Sequence, residues 1–138
     1  MSVLFPPLLA WFIAQVLKVT FYSTREHRLN LRVLAQTGGM PSSHSAIVAG
    51  LTTCIGRIEG VNSVSFGIAL IFSFVVMYDA QGVRRAAGRQ AALLNQLANE
   101  LLSGHQIQQI RLRELLGHTP VEVLVGAALG ILIGLIPF

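Results

Sequence analysis

Residues 3–22 form an apolar stretch interrupted at Gln15 and Lys18. About twenty helical residues suffice to cross the hydrocarbon core of a bilayer, so the pattern predicts a first membrane helix. Pro6 and Pro7 fall in its first turns, where proline is tolerated. Residues 23–36 turn polar and basic and read as a short surface segment. A second helix is predicted over residues 41–56, short for a full span. It is rich in Ala, Gly, Thr and Ser, the composition of close helix packing. Residues 61–78 carry no charge and predict a third span, and the densest polar cluster of the chain follows at residues 78–89. Residues 86–102 then mix apolar and polar positions as an amphipathic helix outside the membrane does. The last span starts near Pro120, with Gly126, Gly130 and Gly134 at the four-residue spacing of a helix-packing face. The expectation is one all-α domain over residues 1–138. It is an integral membrane helical bundle with about four transmembrane helices and one extramembrane amphipathic helical insertion.

Composition sharpens this. The chain is 53% hydrophobic and 12% charged, about half the charge fraction of soluble domains, and its mean hydropathy is +0.64. The net charge of +4 then marks cytoplasmic loops and a lipid bilayer as partner, not nucleic acid. No basic stripe interleaved with aromatics supports RNA binding. The single cysteine, Cys54, excludes an intrachain disulfide and any cysteine-based zinc site. The N-terminus lacks the basic start and A-x-A-like end of a cleavable signal peptide.

The candidate chemistry centres on residues 38–46, Gly-Gly-Met-Pro-Ser-Ser-His-Ser-Ala. Two glycines permit a turn that other residues resist, and Pro41 fits a helix start. A turn opening into a helix presents backbone N–H groups and a positive dipole end, a ready anion site. Ser42, Ser43 and Ser45 add donors, and His44 adds a group that exchanges a proton near neutral pH. The plain alternative is a serine-capped helix carrying an incidental histidine. If the four spans alternate, Lys18 and Arg25, this cradle, Asp79 to Arg89, and His118 with Glu122 all fall at one membrane face. The arginine bias makes that face cytoplasmic, so the expected localisation is multi-pass, in an inner or plasma membrane or an organellar equivalent.

His118 and Glu122 are spaced i, i+4 and share a helix face. A carboxylate there can hold the imidazole in one tautomer, the arrangement that orients a nucleophile. The alternative is an acidic residue favoured by the helix dipole. Lys18 and Arg25 read either as a phosphate clamp or as snorkelling anchors. Asp79 lies close to Arg84, Arg85 and Arg89, so a structural ion pair competes with a catalytic role; the arginines suit forked phosphate contacts. None of the His, Asp and Glu spacings is a metal signature.

Lys18-x6-Arg25, Pro41-Ser42-Ser43-His44 and His118-x3-Glu122 resemble the three-part signature of the PAP2 (type 2 phosphatidic acid phosphatase and vanadium haloperoxidase) superfamily. More closely, GGMPSSHSA, YDAQGVRRAAGRQA and LGHTPVEVLVG resemble the small divergent PAP2-related membrane proteins of the DUF212 group, over nearly the whole chain. The resemblance implies a phosphatase for a lipid or isoprenoid phosphate monoester. His118 would attack phosphorus, Glu122 would orient it and His44 would protonate the leaving oxygen. Lys18, Arg25, Ser42 and Ser43 would hold the phosphate, and no metal or other cofactor is implied. Four features depart from the superfamily pattern. Ser43 stands where it has glycine, Glu26 where it has proline, and Glu122 where it has aspartate. Position 112, Leu112, stands where its third motif carries arginine; Arg84, Arg85 or Arg89 would have to substitute. The superfamily core has six helices, so a homodimer would complete this shorter one. The rival expectation is a non-catalytic protein that binds or transports lipid phosphates on the same scaffold.

Overall fold

A computed structural model describes residues 3–27, 39–102 and 117–137, and within them the side chains of Glu26, Val83, Arg84, Arg85, Glu100 and Leu102 are not described. All regular structure in these residues is helical. Helix α1 spans Phe5–Glu26, carries proline in its first turn, and ends where His27 turns left-handed (φ 50°). Its 22 residues rise about 33 Å, enough to cross a bilayer core of about 30 Å. Ala10, Ala14 and Lys18, at four-residue steps, form its buried stripe.

Helix α2, Ser43–Glu59, starts behind the Ser42 cap and stops at Gly60 (φ 88°). Pro41 lies outside it, after a cis Met40–Pro41 bond, because the Ser42 cap begins the helix after the proline. Helix α3, Val64–Tyr78, is capped by Ser63. A π-turn, Asp79–Val83, joins it to α4, Arg84–Leu102. The amphipathic segment is α4, and through the π-turn it follows α3 directly, so that Val64–Asn99 is helical over 36 residues. Gly82, a weak helix former, lies inside the π-turn, where the wider turn keeps the chain helical. Helix α5, Pro120–Gly134, completes the set. Phe5–Arg25 and Val64–Asn99 are long and apolar enough to cross a membrane. At 17 and 15 residues, α2 and α5 are shorter.

Burial runs opposite to that of a soluble core. The buried residues are mostly Ala, Gly, Ser and Thr, and the largest fully buried side chains are Pro6, Cys54, Ser42 and Ser45. Leu8, Phe12, Ile68, Ile71, Phe72, Phe74 and Leu124 lie exposed. Small residues inside and large aliphatics outside are what a bundle surrounded by lipid requires. Close backbone packing holds such helices together, since lipid supplies no hydrophobic drive between them. Among the described residues the architecture is an all-α helical bundle with the burial pattern of a membrane protein.

The centre is α2, packed against α1, α3 and α5. Its crossing with α5 brings backbone against backbone. A Cβ on Gly126 would collide with the Ser42 carbonyl, and one on Gly130 with the Ala46 carbonyl. One on Gly134 would come 2.9 Å from Gly50 O. Ala10, Ala14, Ala46 and Ile133 close the small apolar core where α1 meets this crossing. Against α3 the bond is polar. Ser73 Oγ donates to Val48 O at 3.0 Å, and Thr52 Oγ1 lies 2.7 Å from Ser73 Oγ and 3.1 Å from Ala69 O. In lipid, where water offers no alternative partner, such bonds hold helix pairs in register.

Gly130→Val should lower the thermal unfolding temperature in detergent sharply, since overpacking costs about 1–3 kcal/mol and here the obstacle is backbone. Gly67→Ala is the control. Nothing lies within 4 Å of a Cβ there, so it should leave stability unchanged or raise it by about 0.5–1 kcal/mol.

Candidate functional site

Four helix ends meet at one end of the bundle. Gly39 leads in with φ 96°, a conformation L side chains rarely adopt, and a Cβ there would sit 2.9 Å from both Lys18 Cε and Tyr22 Cε2. The glycine therefore lets the loop lie directly on the last turns of α1. Ser42, in extended conformation, caps α2: its Oγ accepts from Ser45 N at 3.3 Å and Ser45 Oγ at 3.1 Å. Ser42 is 0% exposed, so its side chain is occupied in closing the helix. Ser43 is also buried, in the first turn, and His44 is exposed beside it.

The start of α5 is built from a capping box. Thr119 Oγ1 accepts from Glu122 N at 3.3 Å, and Thr119 N donates to Glu122 Oε2 at 3.1 Å. Pro120 follows at the first helical position, where it loses no bond. The same Oε2 takes two further donors, His118 Nδ1 at 3.1 Å and Gly39 N at 3.2 Å. One carboxylate oxygen thus ties the α5 start to the loop before α2. Glu122 O also accepts from Ser42 N at 3.0 Å, and His118 N donates to Ala80 O, inside the π-turn, at 2.9 Å. The end of α3 is thereby fastened to the same point.

His118 is 3% exposed, and its ring centroid lies 6.1 Å from that of His44 at an interplanar angle of 65°. A carboxylate offers only acceptor positions, so the hydrogen bond assigns the ring proton to Nδ1 and leaves the lone pair on Nε2. Burial pushes the His118 imidazole below its ordinary value of 6.5, and the positive charge of Lys18 pushes the same way. The Glu122 bond and charge and a backbone hydrogen bond with Gly39 oppose the shift without cancelling it. Lys18, itself 3% exposed, acts electrostatically on both Glu122 and His118. A neutral imidazole with one nitrogen tied and the other basic can attack an electrophile or take a proton; exposed His44 can supply one.

The remaining sequence candidates are spread more widely. Arg25 is exposed in the last turn of α1. Asp79 opens the π-turn, next to the Ala80 carbonyl that anchors His118. Arg89 is exposed on α4, where it lines an open cleft with Tyr78, Gln81, Gly82 and Ala86; none of those residues bonds the His118–Glu122 pair. The side chains of Arg84 and Arg85 lie outside the described residues. Among the described residues no group of three His, Cys, Asp or Glu is placed to hold a metal ion. Sequence reading missed Thr119, Gly39 and Ala80 as partners of the pair. Thr-x-x-Glu is a legible capping-box signal; the backbone partners have none.

The model of the divergent PAP2 family, DUF212, matches residues 1–133. YuiD of Bacillus subtilis (strain 168), described as an uncharacterized membrane protein, is 40% identical over 140 aligned positions. That alignment covers 94% of this chain and 89% of YuiD. No solved structure matches.

A histidine whose folded-state pKa is lowered binds its proton more weakly than in the unfolded chain. The stability of neutral His118 is therefore full above 6.5 and is lost as pH falls from 6.5 toward the folded value. Unfolding in detergent should show wild type weakening more than His118→Asn between pH 7 and pH 5, about neutral to mildly acid. Parallel curves would show that His118 titrates as an exposed histidine does.

Proposed function

This chain belongs to the divergent PAP2 family, and from that premise we propose that it is a membrane phosphatase hydrolysing a phosphate monoester of a lipid or isoprenoid. The observation that carries the proposal is the His118 Nδ1–Glu122 Oε2 hydrogen bond. It prepares Nε2 of a buried, neutral imidazole as a nucleophile. In the proposed reaction Nε2 attacks phosphorus, the bond from phosphorus to the ester oxygen breaks, and His44 gives that oxygen its proton. His44, now neutral, takes a proton from water as the water attacks the phosphohistidine, releasing inorganic phosphate and freeing His118. In this reading Lys18, Arg25 and Ser43 are the phosphate contacts. Ser42 keeps its place in that set by shaping the loop that presents its neighbours. Asp79 and the α4 arginines Arg84, Arg85 and Arg89 stand at the same end of α3 as further members of the site. The proposal requires no cofactor. The excess of arginine at this end supports a multi-pass chain with a cytoplasmic site, and a second copy would supply the helices that the superfamily core has beyond these.

One observation favours a second reading, a protein that binds or transports lipid phosphates without cleaving them. Leu112 stands where the superfamily carries the third-motif arginine, so a charge that would stabilise the transferring phosphoryl group is missing from its usual place.

Phosphate release by detergent-purified protein should be measured on phosphatidic acid, phosphatidylglycerophosphate and isoprenyl phosphates. The phosphatase reading expects turnover on at least one. His118→Ala should reduce it by about a thousandfold or more, and His44→Ala by about a hundredfold or more. Phosphate-labelled substrate should leave an alkali-stable, acid-labile label on wild type but not on His118→Ala. Full activity in folded His118→Ala overturns the mechanism. Binding without turnover, weakened by Lys18→Ala and Arg25→Ala, selects the second reading.

A further inference from the structure

The proposed nucleophile is held by a pair whose second member does two jobs. Glu122 occupies the third helical position of α5, where a glutamate reaches back to the N–H of its own cap residue, and it bonds the ring of the residue before that cap. Both bonds end on Oε2. Whatever fixes the capping box therefore also fixes the direction from which the carboxylate meets Nδ1. The hydroxyl of Thr119 is the side-chain half of that box, accepting from Glu122 N at 3.3 Å. We propose that Thr119 is a positioning residue for the His118–Glu122 pair, its cap holding Glu122 so that the ring proton stays on Nδ1. This rests on the phosphatase reading only for its catalytic consequence; the effect on the ring holds in either reading.

The same geometry suits glutamate at position 122, where the superfamily pattern has aspartate. A capping box takes Glu or Gln at this position because the longer side chain folds back over the first turn. Here the glutamate side chain does both, bonding the Thr119 amide at 3.1 Å and the His118 ring at 3.1 Å. Thr119 and Glu122 thus form one unit, and neither substitution alone leaves the ring as it was. The Gly39 amide braces the carboxylate from the opposite side of the crossing, which ties the unit to the loop before α2.

The test labels histidine with nitrogen-15 and reads the His118 tautomer, assigned with His118→Gln, in the full-length protein in detergent. Thr119→Val removes the hydroxyl and keeps the shape. Thr119→Gly removes it at small cost to the helix start, and Thr119→Ser restores it. Wild type and Thr119→Ser should show the proton on Nδ1, and both hydroxyl-free variants should shift the ring toward the Nε2–H form. If the protein turns over a lipid phosphate, kcat should fall about tenfold in Thr119→Gly with KM unchanged, the scale of losing an outer orienting bond. An unchanged tautomer in folded Thr119→Gly overturns the inference. Absence of turnover in wild type counts against the phosphatase reading alone and leaves the tautomer result to decide this one.

Discussion

Everything at the functional end depends on how closely α5 lies on α2. Gly126 and Gly130 let the α5 backbone rest on the Ser42 and Ala46 carbonyls, and at that distance the two helix starts share bonds directly. Glu122 O accepts from Ser42 N, and Glu122 Oε2 reaches Gly39 N. With side chains at those glycines the helices would separate by more than a hydrogen bond spans. Glu122 would then keep His118 and lose the loop. The constraint is one of backbone clearance, and in lipid it also supplies much of the attraction between the helices.

That crossing also explains how charged groups tolerate burial. Lys18 and His118 are almost wholly enclosed, and an isolated charge so placed is expensive. The carboxylate of Glu122 bonds the His118 ring, interacts electrostatically with Lys18 and takes three hydrogen bonds in all, so its charge is both paired and solvated by the protein. His118 stays neutral because burial and Lys18 outweigh Glu122. The group best suited to attack an electrophile is thus the one the site keeps unprotonated, while exposed His44 stands within a ring's reach of it. Two histidines in contrasting surroundings can divide the roles of nucleophile and acid.

The π-turn has a related part. A regular α-helix past Tyr78 would commit each backbone carbonyl to the amide four residues on. Between Asp79 and Val83 the wider turn coincides with an Ala80 carbonyl that accepts from His118 N. The third helix therefore contributes a backbone anchor, and the polar cluster that follows it continues outward as α4.

Much of this was legible in the chain itself. Apolar periodicity located the helices, and small residues at 126, 130 and 134 marked the packing face, because both follow from local geometry that the residues carry with them. The i, i+4 spacing placed His118 and Glu122 on one face for the same reason. Glycine at position 39 promised a turn, but not that the turn would lie on Lys18 and Tyr22. Nor could the order of residues show that Ser42 is buried as a cap, that Gly39 and Ala80 supply backbone partners, or that α4 continues α3 without a break. Those outcomes depend on distances between segments far apart in the chain. Backbone amides and carbonyls are alike at every residue, so their pairing is decided only once the helices have packed.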